Sequence, residues 1–466
     1  MGNKKQIGEE FQGDGIKDRR IMKRLKMAGE QLSKYPSMSI PQAFKGLAEI
    51  KGAYRLFDNK KVTPEGILSG HKKTTMGRIG KHEIILLVQD TTTLNYASHP
   101  CVEGLGLHST SPDSLGLLLH STLAVTTRGV PLGLMSQKYW TRSVEERGKK
   151  HARKEKSIED KESYRWLETL EETTKNIPEN VTAVTVADRE ADIYDFIKKS
   201  NDIGQDILIR AVGGRLVDDE EKKLLETMEA SASAGEVTVV VPRNAKEKID
   251  EREVRLDIKF RSLYINPPQH RMKDKTLHPV ELYAVYAREI DPLDDRSAIQ
   301  WLLLTSLPVN SLMDAVEKLN WYKHRWKIER FHYTLKSGCK VEELQLETID
   351  RLKNALTLYS IIAWKLVWLT YENRENPDAS CETVLDDHEW KSLCCVINQS
   401  PKPPEHAPTI KEAVRMIARL GGFMGRKSDG NPGTKVLWRG LQRVNDFAAA
   451  WLIIYPLATV IDVGNE

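Results

Sequence analysis

The apolar run Ile84-Ile85-Leu86-Leu87-Val88 constrains this chain more than any other feature. No face of it is polar, so as a strand it needs apolar cover on both sides, as in a sheet packed between helices. It gives way to Asp90-Thr91-Thr92, and a second β-branched run, Val181 to Ala187, ends at Asp188. Between them, His120 to Thr127 and Val130 to Trp140 flank an Arg128-Gly129 turn and predict a hairpin. Lys161 to Lys175 and Glu190 to Lys199 predict helices, and Asp206 to Val212 a further strand. The order β-β-β-α-β-α-β predicts an α/β core.

Residues 213–308 break that rhythm with alternating patterns at Val237 to Val241, Val254 to Phe260, Val280 to Ala287 and Trp301 to Thr305, which predict an inserted antiparallel sheet. Helix returns from Ser311 to about Lys336 and again over 350–375. The segment from Pro377 to Pro408 reads as irregular, and 409–455 as helical. Residues 17–75 predict short helices: Ile21, Leu25 and Ala28 share one face, Pro36 is a break, another helix ends near Gly52-Ala53-Tyr54-Arg55, and Pro64 opens a third. Three domains follow, 1–75, 76–375 and 376–466.

Charge is unevenly spread. Residues 1–80 hold 17 Lys/Arg against 8 Asp/Glu, so this stretch carries +9 of a net +4 and the remainder −5. A basic head suggests a polyanion, nucleic acid first, although a merely solvated basic face has the same composition. Five cysteines without a CxxC pair point to a reduced compartment and away from structural zinc. No run of 18 apolar residues occurs, and the first residues lack the apolar core of a signal peptide, so a cytoplasmic protein with no membrane partner is expected.

Asp90 and Asp188 each end a buried strand, where α/β sheets collect ligand and catalytic groups; either could also be a turn or helix cap. A third acid comes with more context. Tyr322, Arg325, Glu329 and Lys336 stand at offsets of 0, 3, 7 and 14. At about 100° per residue they fall in one narrow stripe about 21 Å long, a carboxylate between cations. Such a stripe suits a metal-binding Glu beside phosphate-holding groups, or a helix carrying surface ion pairs.

Tyr322-x2-Arg325-x3-Glu329-x6-Lys336 resembles the YREK signature of the insertion-sequence-four family of bacterial DDE transposases, most nearly the type carried by Transposon Five. Asp90-Thr91-Thr92 and Asp188-Arg189-Glu190-Ala191-Asp192 resemble its two aspartate motifs. Gly52-Ala53-Tyr54-Arg55, Trp301-Leu302-Leu303-Leu304-Thr305-Ser306 and Ala418-Arg419-Leu420-Gly421-Gly422-Phe423 extend the likeness, in order, over nearly the whole chain. The resemblance implies a ribonuclease-H-like catalytic core with a β-rich insertion at 213–308, a helical N-terminal domain that binds DNA ends and a helical C-terminal domain that dimerises.

It further implies that Asp90, Asp188 and Glu329 hold two Mg²⁺ or Mn²⁺ ions, hard cations suited to carboxylate oxygens. Tyr322, Arg325 and Lys336 would grip the phosphate of the non-transferred strand. Trp301 would be a stacking platform for a base displaced during hairpin formation, unless it is simply a buried strand residue. Arg24, Lys34 and Tyr35 would recognise the DNA end, and Arg210 completes the DNA-binding set. The implied activity is cut-and-paste transposition by a dimer that binds terminal inverted repeats, cleaves them through a hairpin and joins the 3′ ends to target DNA. A non-catalytic DNA-binding regulator and a nuclease that only cleaves are the alternatives. The acids and the cationic stripe speak against the first, the basic head and dimerisation-type C-terminus against the second. A glycosidase is remote, because the acids accompany cations rather than aromatic rings.

Overall fold

A computed structural model describes residues 7–459 except 45, 110, 112, 143–156, 218–221, 242–250, 272–273, 293–297 and 427–428. Most of the charged loop expected at 142–162 therefore lies outside the described residues.

The chain begins with helices Arg19–Lys34 (α1), Leu47–Phe57 (α2) and Pro64–Ile79 (α3). Asp18 caps α1, its carboxylate accepting from the Arg20 and Ile21 amides. Leu25, Ala28 and Leu32 bury its apolar stripe, and the helix stops just before Pro36. Gly52 to Arg55 lies inside α2 rather than at its end.

Strands Ile84–Asn95 (β1), Leu115–Thr126 (β2) and Pro131–Trp140 (β3) are followed by helix Tyr164–Thr174 (α4), strand Thr182–Ala187 (β4), helix Tyr194–Asp202 (α5) and strand Asp206–Arg210 (β5). β2 is antiparallel to β1 and β3, whereas β4 runs parallel to β1 and β5 parallel to β4, giving the spatial order β3-β2-β1-β4-β5. The two faces of β1 go to different cores. Leu86 and Val88 join the core that includes the later helices, and Ile85 and Leu87 the opposite one. Cover on both sides is what the apolar run demanded.

The β-rich region is not a separate sheet. Strands Gly235–Val241 (β6), Arg252–Ile265 (β7), Val280–Glu289 (β8) and Gln300–Thr305 (β9) are antiparallel, and β9 pairs with β5 through Leu304 and Ile209. The insertion extends the core sheet, so Trp301 on β9 stands one strand from Arg210.

Helices Leu312–Lys323 (α6) and Trp326–Tyr333 (α7) follow, then a π-helical turn, Thr334–Gly338. The expected single helix from Ser311 to Lys336 is thus interrupted twice: α6 closes at His324, and the π-turn widens the spiral before Lys336. Helix Ile349–Glu375 (α8) is buried on nearly every side and forms the central spine. Helix Asp387–Asn398 (α9) lies within the stretch expected to be irregular, held by a capping box between Asp386 and Glu389 that the apolar pattern alone does not reveal. Helices Ile410–Leu420 (α10) and Thr434–Thr459 (α11) complete the chain. On α11, Leu437, Trp438 and Val444 pack inward; among the described side chains Leu452, Ile453, Ile454 and Tyr455 are exposed.

One buried polar cluster fastens the N-terminal segment to the core. The Glu10 carboxylate accepts from Arg78 Nη1 (2.7 Å) and Nη2 (3.1 Å), from Thr74 Oγ1 (2.6 Å) and from His71 Nδ1 (2.5 Å). His71 Nε2 accepts from the Leu134 amide of β3 at 2.8 Å, and Arg78 Nε donates to the Leu132 carbonyl.

Candidate active site

The register of β1 and β4 decides where the two aspartates sit. Their parallel pairing runs to Val88 opposite Val186. Two residues further on, Asp90 and Asp188 occupy corresponding positions at the carboxyl edge of the pair. Asp90 is not at the end of its strand, since β1 continues to Asn95 against β2. Asp188 leaves β4 and caps the short turn Arg189–Ala191, its Oδ1 accepting from the Glu190 amide at 2.9 Å.

The third acid comes from α7. Arg325, directly before that helix, donates from Nη2 to Glu329 Oε1 at 2.6 Å and from Nη1 to Asp90 Oδ2 at 3.4 Å. Its guanidinium stands between two of the three acids. Burial pushes the Asp90 carboxyl up to about 7; the Thr91 amide and Arg325 oppose that, while Asp188 and Glu329 add repulsion. Asp90 therefore feels both of the other acids. Among the described residues no three ligating side chains are close enough to hold one metal ion. Arg325 supplies part of the positive charge that this cluster of acids calls for. The donor chemistry, three hard carboxylates with one forced toward protonation, fits a divalent cation.

Cations and aromatics surround the acids. Arg325 stays charged despite its burial because Tyr322, Glu329 and Asp90 favour the guanidinium. Arg210 is half-buried, donates to the Gln300 carbonyl at 3.3 Å and feels Arg189, Tyr322, Arg325 and Asp188. The Nε atoms of Arg210 and Arg325 are buried and meet no acceptor among the described residues. Tyr322 is buried, its ring edge-on to Trp301 with centroids 5.7 Å apart. Trp301 is half-buried, so it is both a strand residue and a neighbour of the site. Lys336 donates to the Thr93 carbonyl on β1 at 2.9 Å and lies 3.7 Å from Glu342, so the π-turn keeps it on the β1 side.

Arg24, Lys34 and Tyr35 are not part of this cluster. Arg24 is exposed on α1 beside Gly52. The Lys34 carbonyl accepts from Asn445 Nδ2 (2.8 Å), and the Tyr35 hydroxyl donates to Asp446 Oδ1 (3.2 Å), so this end of α1 is docked on α11.

Two site residues escaped the sequence reading. Arg165 donates from Nε to Thr91 Oγ1 (3.1 Å) and from Nη2 to Glu190 Oε2 (2.6 Å), joining the segments that carry Asp90 and Asp188. Trp140 and Trp166 flank its guanidinium. Only its place between Tyr164 and Trp166 hinted at this. Trp326 is 55% exposed beside Arg325, whose guanidinium lies 4.9 Å from its ring centroid. The signal in the sequence is a tryptophan placed between Arg325 and Glu329 of the stripe.

Three family models match the chain in order: Transposase DNA-binding over residues 5–62, Transposase DDE domain over 138–365 and Transposase Tn5 dimerisation domain over 361–453. The chain carries the domains of a Tn5-type DDE transposase. Asp188 and Glu329 fall inside the matched DDE segment, and Asp90 precedes it. The DDE domain implies a ribonuclease-H-like core for this transposase, in keeping with a mixed sheet covered by helices on both faces. A solved structure, the cryo-EM structure of a piggyBac transposase synaptic complex with hairpin DNA, is similar at 9% identity over 96% of this chain and 76% of that one, with a TM-score of 0.34. That likeness is too remote to bear on the mechanism. No helix among the described residues of the transposase is long and apolar enough to cross a membrane.

Proposed function

We propose that this transposase belongs to the insertion-sequence-four family and catalyses cut-and-paste transposition. As a dimer it binds terminal inverted repeats, cleaves them through a hairpin intermediate and joins the 3′ ends to target DNA. The reading rests on one observation above the rest: the register that sets Asp90 opposite Asp188, with Arg325 bridging Asp90 to Glu329 of α7.

Asp90, Asp188 and Glu329 would hold two Mg²⁺ or Mn²⁺ ions. When bound, these ions supply charge neutralisation and activation of the attacking hydroxyl. The protein's own groups do the rest. Arg325 and Arg210 turn their unpartnered Nε atoms to DNA phosphates, and Lys336 adds a point charge beside β1. As Arg325 turns to phosphate it releases Glu329 and Asp90 for the cations. Trp301 and the exposed Trp326 offer faces for an unstacked base. Residues 1–75, led by Arg24, Lys34 and Tyr35, bind the end; 76–375 carry the chemistry; 376–466 dimerise.

The test is to incubate the purified protein with linear DNA bearing the sequence that flanks its reading frame, with Mg²⁺ or Mn²⁺. Hairpin-ended flanks and strand-transfer products are expected. Binding without cleavage would mark a regulator, and nicking without joining a nuclease.

A further inference from the structure

The helical segment that carries Glu329 has a second charged side. On α7, Lys327 is rotated about 160° from Glu329 at 100° per residue, so it faces away from the acids. Its Nζ lies 3.5 Å from the centroid of the Tyr371 ring on α8, and the Arg374 guanidinium lies 4.8 Å from the same ring. Lys323 at the end of α6 and Arg330 on α7 border this spot and are exposed. The β2–β3 turn abuts it: His324 Nε2 bonds the Thr127 carbonyl at 3.0 Å, and Gly129, at φ +94°, leaves so little room that a Cβ there would come within 2.7 Å of His324 Nδ1. Arg128 sits exposed in the same turn.

Elsewhere several partly buried cations are paired, as in Lys138 with Glu168, Arg142 with Glu162 and Arg351 with Asp58. Here, among the described residues, Arg128, Lys323, Lys327, Arg330 and Arg374 make no ion pair. Cations held together on three helices and a tight turn repel one another, Glu375 offsetting part of the charge at Lys327. Such a surface is stabilised by a polyanion whose charges repeat along a line.

We propose that the surface formed by Arg128, Lys323, Lys327, Arg330 and Arg374 grips the phosphate backbone of a second DNA duplex, distinct from the end held at the acids. This rests on the transposase reading and adds a location: the incoming duplex is held without base readout on the reverse side of the segment that carries Glu329. The cations are spread over three helices and a turn, an arrangement suited to the phosphate backbone, whose contacts carry no sequence information.

The experiment saturates the full-length protein with an unlabelled end duplex, then titrates a labelled random-sequence duplex at several salt concentrations. The exposed residues are changed together, Lys323→Ser, Arg330→Ser and Arg374→Ser; thermal melting checks the fold, and the set Lys323→Arg, Arg330→Lys and Arg374→Lys serves as the charge-conserving control. The triple serine variant is expected to bind the random duplex with a log–log salt slope smaller by about 3, at roughly 0.9 per phosphate contact, while the control keeps the wild-type slope and end binding is unchanged. An unchanged slope overturns the proposal, as does an equal loss for the end duplex or a wild-type complex that takes no second duplex. Failure of the wild-type protein to bind the end duplex at all would overturn the transposase reading, and this proposal with it.

Discussion

Glu10 and Asp90 are both largely buried carboxylates beside an arginine, and their proton affinities move in opposite directions. Burial alone would raise both. At Glu10 the hydrogen bonds and charges of His71 and Arg78 outweigh that effect and hold the carboxyl well below the usual range. At Asp90 the arginine is 3.4 Å away and already shared with Glu329, while Asp188 and Glu329 repel, so the carboxyl rises to about 7. The first arrangement is satisfied within the protein and ties the N-terminal segment to α3 and β3. The second is short of positive charge, and that shortage marks a place built for something the chain does not itself provide.

The difference can be broken most sharply by removing a member of each cluster. Asp188→Ala is expected to lower end cleavage by on the order of 10³-fold or more while end binding persists, read by gel assay with Mg²⁺. Because it relieves repulsion on Asp90, it should not lower the melting temperature; retained cleavage would contradict the role given to Asp188. Glu10→Ala should do the reverse. It leaves Arg78 buried without its partner and is expected to cost about 3–5 kcal/mol in chemical denaturation, with cleavage per folded molecule unchanged.

A smaller effect comes from histidines buried in their neutral form. His332 lies one turn beyond Glu329; burial lowers its pKa to about 3, with Lys336 adding to the shift. Its folded pKa is thus depressed below the unfolded value of about 6.5. Below that pH the unfolded chain takes a proton that the folded chain refuses until about 3. Stability is therefore full above 6.5 and falls by up to about 1.4 kcal/mol per pH unit beneath it. His120 and His71, also lowered by burial, act in the same direction. Calorimetric melting at pH 7.5 and 5.5 should show a smaller drop for His332→Leu than for wild type. The smallest effect belongs to Lys336→Ala, which should weaken end binding and reduce its salt slope by about 1, measured by fluorescence anisotropy.

Much of this was legible in the chain because buried strands announce themselves. Ile84 to Val88 and Val181 to Ala187 form β1 and β4 as the apolar runs required, and the acids after them fall at one sheet edge. The stripe from Tyr322 to Lys336 was legible in composition but not in geometry. An ideal helix was expected, whereas the chain breaks at His324 and winds into a π-turn at Thr334–Gly338. Arg165 was hidden because its importance lies in partners 74 and 25 residues away. The guanidinium between Asp90 and Glu329 is equally unreadable, since the motif implies a phosphate partner for Arg325 and only packing shows it resting on the acids. Joining of β9 to β5 depended on register between distant segments, which alternation cannot supply.

The central claim is that Asp90, Asp188 and Glu329 form one cation-binding group once Arg325 turns to DNA. Mn²⁺ binding, followed by electron paramagnetic resonance on the protein saturated with an end duplex, addresses it directly. The account predicts ions bound by the wild-type complex, lost in Glu329→Gln and in Asp90→Asn, and bound more weakly when the end duplex is left out. Undiminished Mn²⁺ binding by the Glu329→Gln complex would contradict it.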